Sequence, residues 1–96
     1  PLSHELFDFA ETIFDVLESR QVTLSKKGED KGVRLSFEGF PYLIVWSKPE
    51  GDFVAVEPWG GLSTCSDEDD ILEHKRGCLV AKPGETVTRG FEIEIL

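Results

Sequence analysis

The stretch YLIVWS, residues 42–47, constrains this chain most, because it is apolar at odd and even positions alike. A strand sends successive side chains to opposite faces of its sheet, so such a run must be covered on both sides. It predicts a central strand. QVTLSKK (21–27), the turn GEDKG (28–32) and VRLSFEG (33–39) predict an antiparallel hairpin, with Val33, Leu35 and Phe37 alternating against Arg34, Ser36 and Glu38. The turn SKPEGD (47–52) leads into FVAVE (53–57), which predicts a second hairpin with 42–47 and puts Glu57 at a strand end. CLVAK (78–82) and TVTRGFEIEI (86–95) read as closing strands joined by the turn KPGE (82–85), with Phe91, Ile93 and Ile95 alternating against Glu92 and Glu94. PLSHELF reads as a short helical turn with Ser3 as its cap. ILEHKRG reads as another, with Ser66 as its cap and Gly77 at its end. ETIFDVLES (11–19) suits a helical stripe and a strand equally. The expected fold is all-β, an antiparallel β-sandwich. Several strands are apolar on both faces, and 96 residues supply little to cover them, so a further packing partner is expected.

Ninety-six residues make one small domain at most, and 40% hydrophobic content suffices for a core. Acidic residues outnumber basic ones 19 to 10, for a net charge of -9. That argues against nucleic acid or an anionic membrane as the main partner, since both require a basic face. No run approaches the roughly 18 apolar residues of a spanning helix. The start, PLSHELFDFA, lacks the charged and apolar regions of a signal peptide, and opening on Pro1 suggests a processed or trimmed product. Cys65 and Cys78 have neither CxxC spacing nor the company of a disulfide framework, so a reduced, cytoplasmic chain is expected.

The chemistry-bearing stretch is FVAVEPWGGL (53–62). An apolar strand runs into Glu57, and strand register puts Glu57 on one face with Phe53, Ala55 and Trp59. A carboxylate beside an aromatic ring is partly desolvated, which suits a proton acceptor. Trp59 offers an apolar face to the C–H side of a sugar ring, and Gly60-Gly61 admit a ligand to the backbone. The plainer reading is a wet strand end with Trp59 in the core. The acidic run SDEDD (66–70) lacks the calcium-loop pattern and reads as a solvated loop. His4 and His74 stand apart from any metal-ligand cluster, so no metal is expected. Lys75 or Arg76 could hold a ligand anion, or could simply favour a helix end. Neither a GxSxG nucleophile nor a phosphate loop is present.

Taken in order, YLIVWSKPEGDFVAVEPWGGL, EHKRG and LVAKPGETVTRGFEIEI resemble the C-terminal part of the aldose 1-epimerase (galactose mutarotase) family, in its bacterial LacX-like branch. The resemblance covers essentially all 96 residues, with EPWGGL and the KPGE turn its most specific pieces. It implies that residues 1–96 form one partial domain, the last third of a large mutarotase-like supersandwich, with the N-terminal remainder of that sandwich as packing partner. It also implies interconversion of the α and β anomers of a free sugar. In that reaction a late-strand glutamate takes the C1 hydroxyl proton and a histidine protonates the ring oxygen. The base carries over to Glu57. Trp59 and Trp46 are implied to line the substrate site, and Glu11 is the nearest match to an acid the family places there. The family's histidines fall outside this chain and do not carry over to His4 or His74. No cofactor is implied, because acid–base chemistry suffices. The competing expectations are a mutarotase-like protein that binds carbohydrate without turning it over, and a small acidic β interaction module.

Overall fold

The computed structural model describes residues 1–8 and 10–96 and is all-β. Its strands are β1 (Thr12–Phe14), β2 (Gln21–Ser25), β3 (Gly32–Ser36), β4 (Tyr42–Trp46), β5 (Ala55–Trp59) and β6 (Glu92–Ile95). Two 3-10 turns, His4–Phe7 and Leu72–His74, complete the regular structure among the described residues. The strands form two antiparallel three-stranded sheets, ordered β1-β4-β5 and β2-β3-β6.

YLIVW is indeed the central strand of its sheet. Leu43 and Ile44 point to opposite faces and both are buried. The ambiguous ETIFDVLES segment resolves into the three-residue β1, paired to β4 with Ile13 opposite Ile44 and Phe14 opposite Leu43. The first hairpin forms with Val22 opposite Leu35 and Leu24 opposite Val33. The second sets Tyr42 opposite Trp59 and Trp46 opposite Ala55, across a turn closed by the Gly51 N–H on the Lys48 carbonyl at 2.9 Å. In that connection Ser47 Oγ is buried and donates to the Phe53 carbonyl at 2.6 Å.

The core lies between the sheets. Leu35 and Phe37 from one side meet Leu43 from the other, with Leu17, Val22, Phe40 and Val56 packed around them. Arg20 braces one end of this core. Its guanidinium lies 5.4 Å from the Phe37 ring centre and donates to the Leu17 and Phe40 carbonyls. Beside the core, the space between the sheets opens into a groove of about 720 Å³, lined by Phe14, Leu17, Val22, Leu24, Val45 and Val56 among others. The radius of gyration is 15.9 Å, above the roughly 12–13 Å of a closed domain of this length, so the sheets only partly cover each other.

Three expectations are corrected. The strand expected at 53–57 runs from Ala55 to Trp59, so Glu57 sits at its centre rather than its end. Pro58 is tolerated within it because β5 is an edge strand, where a missing N–H breaks no inter-strand ladder on the open side. CLVAK and TVTR join no ladder among the described residues, although the KPGE turn between them closes as expected, Glu85 N–H to the Lys82 carbonyl at 2.9 Å. An isolated hairpin is marginal in water, and Leu79, Val80 and Val87 find no surface to bury against. Ser66 does not cap the second helical turn, where Ile71 holds the N-cap position; Ser3 is the N-cap residue of the first as expected, though its hydroxyl makes no capping bond. β6 pairs with β3, Ile93 opposite Leu35 and Ile95 opposite Val33, yet Ile93 and Ile95 stay 60% and 78% exposed. They share the apolar face of the sheet, but the opposing sheet does not reach them.

Candidate functional site

The site follows from the register of the β1-β4-β5 sheet. Directly paired residues share a face, and so do residues two apart on one strand. Leu43, Val45 and Val56 turn toward the core. The opposite face therefore carries Ile13, Ile44 and Glu57 in one cross-strand row, with Tyr42–Trp59 on one side of it and Trp46–Ala55 on the other. Glu57 thus stands in the middle of an aromatic and aliphatic surface, half-buried.

Trp59 Nε1–H donates to Glu57 Oε2 at 2.8 Å, joining two side chains that the strand period places side by side. No ion pair engages Glu57 among the described residues. Trp46 lies on the same face at the end of β4, and its ring meets Phe53 edge-on at 5.7 Å. Glu11 immediately precedes β1, two residues before Ile13, and is half-buried. The structure therefore gathers Glu57, Trp59 and Trp46 on one face, with Glu11 at its margin. Tyr42, opposite Trp59, is a member that sequence reading left as a strand residue. Its parity with Trp46 on YLIVW was the available signal. This face is partly covered: Ile44, opposite Glu57, and Tyr42 are buried, and Gly77 packs against the Tyr42 ring. The hollows described in this chain are lined by other residues.

Neither histidine hydrogen-bonds to Glu57. His4 borders a small hollow with Phe7, Ser47 and Phe53. His74 Nδ1 donates to Asp69 Oδ2 at 2.6 Å. No group of three or more His, Cys, Asp or Glu side chains suited to a metal ion occurs among the described residues.

The acidic run is mostly solvent-exposed, as expected of a solvated loop, with Glu68 partly buried. It pairs in mirrored order with the basic run that follows: Asp67 with Arg76 at 3.3 Å, Glu68 with Lys75 at 3.1 Å and Asp69 with His74 at 2.6 Å. Asp70 makes the reversal with φ 63. Lys75 Nζ also donates to Thr64 Oγ1 at 3.2 Å, so the cations considered as anion ligands are already engaged by this chain's own groups. The opposite charges in DED (67–69) and HKR (74–76), with four residues between the two runs, are the legible signal for this strap. It is anchored to the sheet through Gly77. At φ 72 Gly77 occupies the left-handed region, and a Cβ there would stand 2.6 Å from Tyr42 Cε2.

Two carboxyls of the strap sit below their usual range. Glu68 is lowered first by the Cys65 backbone N–H and then by Lys75, both donating to Oε2, while its Oε1 is buried without a donor among the described residues. Asp69 is lowered first by His74 and then by the Ile71 backbone N–H. A carboxyl lowered in the folded state contributes stability above its unfolded pKa and loses it as pH falls through the folded value. The strap should therefore loosen from about pH 4 downward. Amide proton shifts of Cys65 and Ile71 should move together over that range, and Glu68→Gln should remove the change at Cys65 alone. Shifts that stay flat down to pH 2 would show that these contacts do not form in solution.

Two proteins from Lactococcus lactis subsp. lactis, named protein LacX, plasmid, and protein LacX, chromosomal, are each 41% identical to this chain over 96 residues. The match takes in 99% of this chain and 32% of theirs, so the chain spans about a third of the length of the curated relatives it matches. No family model matches the chain. No solved structure matches it.

Proposed function

We propose that this chain is part of a sugar mutarotase and contributes its general base, Glu57. The observation that carries the reading is the half-buried Glu57 carboxylate, free of any ion pair among the described residues and bonded by an indole N–H on a face that also holds Tyr42 and Trp46. The aromatic rings of this face can pack on the C–H surface of a pyranose while the sugar hydroxyls meet the carboxylate, and the concave walls of such a site would come from the rest of a longer polypeptide. Glu57 takes the C1 hydroxyl proton. An acid from outside these residues protonates the ring oxygen, the ring opens, the C1–C2 bond rotates, and the ring closes on its other face. The LacX relatives agree with the branch that the motifs resemble. Their greater length fits a base whose acid partner lies elsewhere in a longer polypeptide. The exposed Phe91, Ile93 and Ile95 fit a sheet that the same polypeptide continues to cover.

The second reading is a sugar-binding protein without turnover. It is favoured by one observation: neither histidine of this chain hydrogen-bonds to Glu57. Polarimetry separates the two readings. A freshly dissolved α-aldose given the full-length protein should lose its excess rotation far faster than in buffer. A rate equal to the buffer rate, with sugar still quenching tryptophan fluorescence, would leave only binding.

A further inference from the structure

We infer that Trp59 is a positioning residue for the Glu57 carboxylate, acting through its indole N–H and not only through the face of its ring. The inference rests on the general-base reading of Glu57 and goes beyond it by assigning the two carboxylate oxygens different tasks. Oε2 accepts the Trp59 N–H at 2.8 Å, whereas no hydrogen bond engages Oε1 among the described residues. Oε1 is therefore the oxygen left to meet a substrate hydroxyl.

The chemistry of the pair supports this division. Glutamate has three side-chain torsions, and the Trp59 N–H makes the one hydrogen bond that fixes this carboxylate among the described residues. Tryptophan has two, and Trp59 is half-buried in strand register opposite Tyr42. An indole N–H donates and cannot accept, so it holds a carboxylate by one oxygen and cannot compete for the substrate proton. A bond to an ionised acceptor is also stronger than a neutral one. The strand period makes the contact possible, since residues 57 and 59 lie on one face with residue 58 turned to the other.

The test replaces Trp59 in the full-length protein with benzothienylalanine, which keeps the ring system and substitutes sulfur for N–H. Trp59→Phe serves as a second variant. The expected result is a fall in kcat of roughly ten- to a hundredfold with KM little changed, the size of one charged hydrogen bond used in the transition state. A ring that serves only as a stacking platform gives the opposite pattern, kcat kept and KM raised in Trp59→Phe, and that would overturn the inference. An independent readout is the ¹⁵N-labelled indole resonance of Trp59. Its proton should exchange slowly, and in Glu57→Ala it should shift and exchange faster. A resonance indifferent to Glu57 overturns the inference regardless of kinetics. Absence of anomer exchange in the unsubstituted protein sinks the general-base reading and this inference with it. An active protein whose benzothienyl variant keeps its kcat sinks this inference alone.

Discussion

On the proposed mutarotase reading, Glu57→Gln in the full-length protein should lower the rate of anomer interconversion by about 100- to 10,000-fold, the usual contribution of one positioned acid–base group. The substitution is close to isosteric. The amide oxygen can still accept the Trp59 N–H, so the local geometry of β5 should survive. What is lost is the basic oxygen, because the NH₂ that takes its place donates and cannot receive the C1 proton. The loss should therefore fall on kcat, with sugar affinity close to wild type. Saturation-transfer NMR between the two anomeric protons measures the exchange directly, and tryptophan quenching measures binding on the same sample. If Glu57→Gln exchanges anomers at the wild-type rate, the base is another group. If it no longer binds sugar at all, Glu57 is chiefly a substrate ligand.

The largest stability effect is expected at Phe37. Its side chain is fully buried, it packs with Leu35 and Leu43 between the two sheets, and it lies beneath the Arg20 guanidinium. Phe37→Ala should cost about 3–5 kcal/mol, the transfer loss plus the cavity left behind. A domain of this size typically holds only about 5–15 kcal/mol in all, so much of its margin would go. Because Phe37, one residue past the end of β3, packs against Leu43 of β4 in the other sheet, the damage should appear as loss of sheet-to-sheet packing, and Phe37→Leu should cost much less because it keeps apolar volume. Urea unfolding followed by tryptophan fluorescence reads both. An unchanged midpoint in Phe37→Ala would mean that the contact between the sheets contributes little to the fold.

Much of the strand layout was legible because the signals are local. Alternation in VRLSF, the two-faced apolarity of YLIVW and the Pro/Gly turns are properties of neighbouring residues, and β3, β4 and the turns between strands follow them. The pairing of Glu57 with Trp59 on one face was legible for the same reason: a period of two needs no knowledge of the rest of the chain. The three-residue β1 was not, because so short a piece has no measurable period. The Asp67–Arg76, Glu68–Lys75 and Asp69–His74 ladder is not legible in either charged run alone, because it depends on the mirrored order of the two runs taken together.

Local residue order thus sets where the backbone is extended, where it turns, and which side chains share a face. Long-range packing selects which extended pieces become strands. CLVAK and TVTR have strand composition but no ladder, whereas EIEI acquired one by pairing with β3 across more than fifty residues of chain. It also decided that Pro58 continues β5, because its neighbour lies on one side only. The reason is physical: side-chain alternation is a property of the strand alone, while a ladder and a buried face need a partner that lies elsewhere in the chain.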